Sequence, residues 1–558
     1  MKIFLVRQTS HYTHPLMGYG VGIIATILHD AGHEVKVVDN NSVYRRYSDD
    51  QLLSQIRDFN PDVLGHGITM PSAIHHYRLS AMIREEFPDL PQIAGGLHLK
   101  GAYEEVLRHD IDIACVREGE NLILPLVEHI ASAKQRGVPL TQGLEAIDGL
   151  AYFGSDGKIV HPQKFPILDD LDDVPIVNYD LFNFEDFKKH GNEPAIFPLV
   201  SQRGCPYKCT FCSDAFQRGD KRMATAQWMF DNVKDMHERY GAFYVAITDN
   251  NFALKKKRVV EFCNLMISSG LNKKMRFSIQ TKIESPMDDD TLALLKKAGL
   301  KLVGFGLERL DDYSQGMIQK KCSFDRIEKV LTSVKNADIE MSINMLIGFP
   351  FDSMETLREE KRLFDLMQQY TKQINCSILQ PIPGTAYYDD YPRAIEWYLN
   401  PKYDQVYRAH FAVVKEGYME ALADLNFFEH DDSVVEEFKS VYGHFNDVAY
   451  GRYFPNKTLF VRLALGIDKF FGNLSRQIFR ISPDLEFAIF RRLRAVRYYV
   501  ATKLYGRRVL VLGRVNSDPD RITSDSQSDK DQIMGTENNV LVNSQPNMAD
   551  SFASKAMH

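Results

Sequence analysis

Three of the seven cysteines in this chain fall within the segment GCPYKCTFC, residues 204–212. They are Cys205, Cys209 and Cys212, spaced C-x3-C-x2-C. Thiols gathered this closely suit metal binding or redox chemistry. A structural zinc ion takes four ligands, often as two C-x2-C pairs. A redox C-x-x-C would use Cys209 and Cys212 and leave Cys205 idle. The other cysteines, Cys115, Cys263, Cys322 and Cys376, are scattered through strand-like and helix-like segments, so no fourth ligand is evident. An iron–sulfur cluster normally takes four thiolates. With three supplied by one loop, one iron of a [4Fe-4S] cluster stays open. An open iron can bind a small molecule and pass it an electron, so the absent fourth cysteine points to function.

Such a loop needs a rigid base. From about residue 195 the sequence alternates strand-like runs (AIFPLVS, FYVAIT, MRFSI, LVGFG, MSINMLIG, INCSIL) with amphipathic helical runs such as AQWMFDNVKDMHERYG. Six such β/α units predict a parallel sheet curled into a partial (β/α)6 barrel, over residues 191–390. In barrels of this kind the chemistry sits at the carboxyl ends of the strands, and the cysteine segment directly follows the first strand.

Residues 1–135 show an earlier alternation. KIFLV, EVKVVD, DVLGHGIT, QIAGG and DIACV read as strands separated by helices, which predicts an α/β, Rossmann-like (flavodoxin-like) domain. Ligands bind beyond the carboxyl ends of such strands. Thr69 and Ser72 follow the third strand, Gly95, Gly96 and His98 the fourth, and Glu118, Gly119 and Glu120 the fifth. No G-x-G-x-x-G follows the first strand, so a dinucleotide is not favoured. Residues 136–190 read as a connector holding a hairpin around Ser155-Asp156-Gly157. Residues 391–515 read as mostly helical, with the basic, aromatic run RRLRAVRYYVATKLYGRR offering either a solvated face or a membrane-surface or anionic-substrate contact. The Ser/Asp/Asn/Gln-rich tail, 516–558, reads as disordered.

The composition narrows the class further. A net charge of −7 gives no global basic field for nucleic acid. Seven cysteines in 558 residues do not suggest a disulfide framework, so a reducing, cytoplasmic setting is expected. No signal peptide and no run long enough to span a membrane are found.

C-x3-C-x2-C after the first strand of a partial barrel, with the aromatic Phe211 before the third cysteine, resembles the radical SAM superfamily. The resemblance implies that Cys205, Cys209 and Cys212 hold a [4Fe-4S] cluster. Its open iron would bind S-adenosylmethionine (SAM), which is cleaved to a 5′-deoxyadenosyl radical. It implies SAM contacts from Phe211, from Thr248, Asp249 and Asn250 (where the family's usual Gly-Gly-Glu is replaced), and from Ser278 and Gln280. It also implies contacts from Gly304, Gly306 and Glu308 in VGFGLE and from Leu379 in LQPIPGT. IGFPFDSMET resembles the family's strand-loop-helix element that follows.

The first domain resembles the cobalamin-binding domain of one radical SAM subfamily, through GVGIIATILHDAGHEVKVVD, PDVLGHGITMPSA, GGLHLK and REGE. Together the resemblance covers residues 1–390. It implies cobalamin contacts from Thr69, Ser72, Gly95, Gly96, His98 and Glu118. The D-x-H-x-x-G of histidine-ligated corrinoid carriers is absent, which implies cobalamin without a protein histidine on cobalt, its nucleotide tail at the sheet edge. His98 is expected to form hydrogen bonds rather than ligate cobalt, and His66, His75 and His76 to be ordinary loop and helix residues.

Three functions are compatible with this reading. The first is cobalamin-dependent methylation of an unactivated carbon in a small or lipid-like biosynthetic substrate, with a flavodoxin or ferredoxin as electron donor. The second is another radical reaction, such as ring formation, oxidation or rearrangement, with or without cobalamin. The third is a non-catalytic corrinoid-binding or sensor protein, against which the intact cysteine triad and VGFGLE argue. An RNA methylthiotransferase would carry a second cysteine triad in its first domain, which here has only Cys115.

Overall fold

The structure is a computed structural model. It describes residues 1–8, 17–41, 47–182, 197–213, 221–320, 322–371, 373–390 and 430–453. The basic run near residue 500, the 516–558 tail and most of the expected C-terminal helical region lie outside these. Within that region, 432–453 is a helix.

The first sheet has the strand order β2-β1-β3-β4-β5-β6-β7. Its parallel strands are β1 (Lys2–Arg7), β2 (Glu34–Asp39), β3 (Val63–Gly67), β4 (Gln92–Gly95) and β5 (Ile113–Cys115). These are the apolar runs read from the sequence. Helices α1 (Tyr19–Asp30), α2 (Asp49–Phe59), α3 (Ala73–Glu86), α4 (Leu99–Leu107) and α5 (Ile123–Arg136) cover its faces. The order 2-1-3-4-5 is flavodoxin-like, and the direction of strand addition reverses between β1 and β3, opening a crevice at the carboxyl ends. The connector hairpin forms as β6 (Leu150–Phe153) and β7 (Ile159–Val160). It turns at Gly157, whose φ of +75° suits a residue without a Cβ. β6 pairs antiparallel with β5, so the hairpin is the edge of the first sheet.

The second sheet is parallel throughout, in the order β15-β14-β13-β12-β11-β8. Its strands are β8 (Phe197–Leu199), β11 (Tyr244–Ile247), β12 (Arg276–Thr281), β13 (Leu300–Glu308), β14 (Glu340–Ile347) and β15 (Ile374–Ile378). Neighbours in sequence are neighbours in space, and β8 and β15 remain edges, so the barrel is incomplete, as expected. Hydroxyl or carboxylate caps begin several of its helices. Thr225 caps Ala226–Tyr240, Asp288 caps Asp289–Ala298, and Ser353 caps Met354–Met367. The outer face is apolar. Phe277 of β12, for example, meets Phe262 of the helix Lys256–Ser268 edge-on at 5.5 Å.

Residues 168–182 run between the two sheets and are tied to both. The Asn178 N–H donates to the Thr26 hydroxyl of α1, and the Tyr179 N–H to the Tyr240 hydroxyl of a barrel helix. The Val174 carbonyl accepts from the Trp228 indole N–H at 3.0 Å.

Candidate functional site

The chain leaves β8 through Ser201 and Gln202, which Asp249 holds. Asp249 Oδ1 accepts from the Ser201 and Gln202 N–H groups at 2.6 and 2.9 Å, and Oδ2 accepts from the Ser201 hydroxyl at 2.6 Å. Arg258 pairs with Asp249 at 3.2 Å and donates to the Ser201 carbonyl. Asp249 is fully buried. Burial raises its pKa, against the pull of Arg258 and Ser201. Both oxygens are engaged, so this expected SAM contact instead anchors the root of the cysteine loop.

Beyond Ser201, a short antiparallel ladder of β9 (Gln202–Arg203) and β10 (Arg222–Met223) brackets the loop. The chain turns at Gly204, at φ +73°, into the cysteines. The Thr210 N–H donates to the Ile318 carbonyl, and its hydroxyl lies 3.0 Å from that of Tyr387. Phe211 packs edge-on against Phe349, in an apolar cluster that also holds Ile318 and Leu379. Two of the expected SAM neighbours, Phe211 and Leu379, therefore share one wall.

Two lysines flank the loop. Lys282 stands 3.4 Å from the centre of the Tyr207 ring, and Lys320 lies 5.9 Å from that of Phe211. Burial pushes the Cys209 thiol up, while Lys320 and Lys282 pull it back. Burial alone pushes Cys115 and Cys263 up to about 12, and Cys322 rises to about 11, chiefly through burial. These three are neutral thiols at ordinary pH and lie outside the cysteine loop. Among the described residues, no three His, Cys, Asp or Glu side chains gather as a single metal ion would require. A cubane cluster spreads its thiolates over separate irons, so it does not require the three cysteines of this loop to converge on one point.

The inner face of the barrel is polar. Gln280 of β12, Gly304 of β13 and Ser342 of β14 stand side by side, and so do Gly306, Asn344 and Asn375. Ser278, two residues before Gln280, shares this face. Its hydroxyl is buried without a hydrogen-bond partner. A Cβ on Gly304 would touch the Ser342 hydroxyl at 3.4 Å and Gln280 Cγ at 3.5 Å. This face is lined by small and hydrogen-bonding residues. Thr248 and Asn250 flank Asp249 at the end of β11. The Thr248 N–H bonds to the Leu199 carbonyl, and Asn250 is exposed.

β13 ends in a bulge between Gly306 and Glu308. Glu308 takes φ +65°, uncommon for a residue with a side chain. A Cβ on residue 306 would sit 2.6 Å from Glu308 Oε1, so only glycine lets this carboxylate fold back. Lys320 holds it, 3.4 Å from Oε1 and hydrogen-bonded to the Gly306 carbonyl.

In the first sheet, Thr69 and Ser72 bond to each other in a tight turn after β3. Gly96, at φ +116°, lies against Ile68, where a Cβ would meet the carbonyl oxygen at 2.3 Å. Beside these small residues Leu97, an apolar side chain at the carboxyl edge of the sheet, is 68% exposed. His98 is buried, with Nε2 3.2 Å from the Tyr77 hydroxyl and 3.5 Å from Glu105, so it braces the loop. Glu118 faces the barrel instead. Its oxygens accept from Arg222 and the Leu168 N–H and pair with Arg203. Although burial opposes it, the arginines hold this carboxyl below its usual range. His66 and His76 are core residues, 3.1 Å apart between their Nδ1 atoms.

Sequence reasoning missed Arg203, Lys282, Lys320, Ser342, Asn344 and Asn375. A signal for the last three was present. MSINMLI and INCSI alternate polar with apolar residues, whereas a strand covered on both faces is apolar throughout.

Residues 5–126 match the B12 binding domain family, and residues 199–364 match the radical SAM superfamily. The chain is 24% identical over 340 residues to the anaerobic magnesium-protoporphyrin IX monomethyl ester cyclase of Rubrivivax gelatinosus. That match covers 60% of this chain and 59% of the cyclase. Cytidylyl-2-hydroxyethylphosphonate methyltransferase of Streptomyces wedmorensis is 22% identical, over 64% of this chain and 73% of its own length. The fold superposes on that of the radical SAM methyltransferase TsrM from Kitasatospora setae, solved with cobalamin and a [4Fe-4S] cluster bound. The TM-score is 0.56 at 18% identity, covering 69% of this chain and 73% of TsrM. No helix among the described residues is long and apolar enough to cross a membrane.

Proposed function

We propose a reaction for a chain that carries a B12-binding domain and a radical SAM domain in series: cobalamin-dependent methylation of an unactivated carbon in a small or lipid-like biosynthetic molecule. One observation carries this reading. α4 of the first sheet touches the turn after β15 of the barrel, with Gly101 packed against Pro383 and Gly384, so the ligand-binding ends of the two sheets meet. A methyl carrier held by one sheet and a radical generated on the other then share a substrate between them.

When bound, the cluster supplies the electron that cleaves SAM, and cobalamin supplies the methyl group. Cys205, Cys209 and Cys212 hold the cluster. Phe211 and Leu379 form an apolar wall beside it that excludes water. Thr248, Asn250, Ser278, Gln280, Gly304, Gly306 and Glu308 line the floor and rim where SAM is bound, with Lys320 fixing the Glu308 carboxylate. Thr69, Ser72, Gly95 and Gly96 leave room for cobalamin beside Leu97, and His98 braces their loop. Electrons come from a flavodoxin or ferredoxin, and a reducing cytoplasm suits an open cluster and free thiols.

The cyclase relative supports a second reading, in which the same radical closes a ring without methyl transfer. Product analysis separates the two. The full chain, purified without oxygen and loaded with cobalamin and iron–sulfur cluster, is incubated with SAM, a reductant and candidate substrates. Methyl transfer yields S-adenosylhomocysteine together with 5′-deoxyadenosine. The second reading yields 5′-deoxyadenosine without S-adenosylhomocysteine.

A further inference from the structure

The cysteines lie on one excursion of the chain, and the β9–β10 ladder ties its two ends together. In that ladder Arg203 stands directly opposite Arg222. Like charges facing each other across strands repel and weaken the pairing. The opposing charge comes from the other domain, from the loop after β5. Glu118 lies between the two arginines, 3.1 Å from Arg203 and 2.9 Å from Arg222 Nη1. Glu120 makes a further short contact with Arg203. All four side chains are largely buried, with exposures of 10–19%. Arg203 is two residues before Cys205, so a shift of either glutamate reaches the first thiol through one short segment.

We propose that Glu118 and Glu120 of the B12-binding domain are positioning residues for the cysteine loop, closing it through Arg222 and Arg203 and so coupling the cobalamin site to the cluster. Both glutamates sit on a loop at the carboxyl edge of the first sheet, where its ligand binds. Coupling of this kind is reciprocal. Loading the cluster and SAM must change cobalamin affinity by the same factor as cobalamin changes theirs. The inference rests on the proposed function for the identity of the two cofactors.

The test uses the full chain, with Glu120→Gln as the main variant and Glu120→Asp as the conservative one. Hydroxocobalamin affinity is measured with the cluster and SAM loaded, and again after the cluster is stripped. The wild type should show a difference of about fivefold or more, and Glu120→Gln a difference within about twofold. The electron paramagnetic resonance spectrum of the reduced cluster with SAM should change in Glu120→Gln and return toward wild type in Glu120→Asp. A Glu120→Gln protein with the wild-type spectrum and the wild-type affinity difference overturns the proposal. Arg203→Gln should show the same losses more severely. If it does not fold, Glu120→Gln, which keeps Glu118 in place, decides alone. A wild type that binds no cobalamin defeats the methylation reading, while the spectra still decide the positioning role.

Discussion

Gly101 in α4 lies so close to Pro383 that a Cβ on residue 101 would stand 2.6 Å from the Pro383 carbonyl carbon and 2.9 Å from its oxygen. Backbone cannot yield as a flexible side chain can, so any larger residue must push the two sheets apart. Gly101→Ala should leave cluster and cobalamin contents near wild type. It should lower product formation by about tenfold or more, since small misplacements of reacting groups are costly. Cofactor quantitation beside turnover checks this. A variant with full turnover would remove the contact from the mechanism.

Cys209→Ala removes one of three thiolates from a loop with no other available. Iron and sulfide content should fall to background, and 5′-deoxyadenosine should not form. A mutant that still releases 5′-deoxyadenosine from SAM would refute the cluster assignment.

Asp249→Asn leaves Arg258 buried without its counter-charge, a change that costs about 3–5 kcal/mol where buried pairs are broken. Urea unfolding should show that loss. The double variant Asp249→Leu/Arg258→Met should recover much of the stability, because an apolar pair removes both buried charges. It should not recover cluster loading, because the Ser201 and Gln202 N–H groups lose their acceptor. Recovery of both would make Asp249 a stability residue alone.

The buried histidines predict a pH dependence. His76 Nε2 accepts from the Gln8 N–H, so its Nδ1–H donates to His66 Nδ1, and His66 Nε2–H donates to Gln92. Both rings are therefore neutral. Burial lowers His66 to about 4 and His76 well below its ordinary value. The unfolded chain takes up these protons near pH 6.5 and the folded chain resists them. Stability is thus full above about pH 6.5 and declines as pH falls toward 4, by about 2 kcal/mol at pH 5 for His66 alone. Unfolding free energies at pH 7.5 and 5.0 test this. Equal values would show that the pair protonates in place.

The strands of both sheets were legible because parallel, covered strands are short apolar runs punctuated by glycine and helix caps. The cysteine loop stood out because its three thiols are close together in sequence. Asp249 was not. An acid at a strand end reads alike whether it meets a ligand or an arginine nine residues on, and only the fold brings Arg258 back to it. Glu118 failed for a similar reason, since its partners lie 85 and 104 residues away. The Ser155-Asp156-Gly157 turn marked the hairpin, but nothing local says that β6 and β7 extend the first sheet. Lys320 reaches Glu308 only because the β13 bulge turns that carboxylate back.

Residues 168–182 have a consequence for dissecting the molecule. A cut near residue 135 would strip β6 from β5 and leave a bare strand edge of the kind that recruits other chains. A cut further on still divides the hydrogen bond that Asn178 makes to α1 from those that Val174 and Tyr179 make to the barrel helix Ala226–Tyr240. Neither half can be excised with its own surface intact. Toward heat and toward proteases, the two halves should open together as one cooperative body rather than as beads on a string.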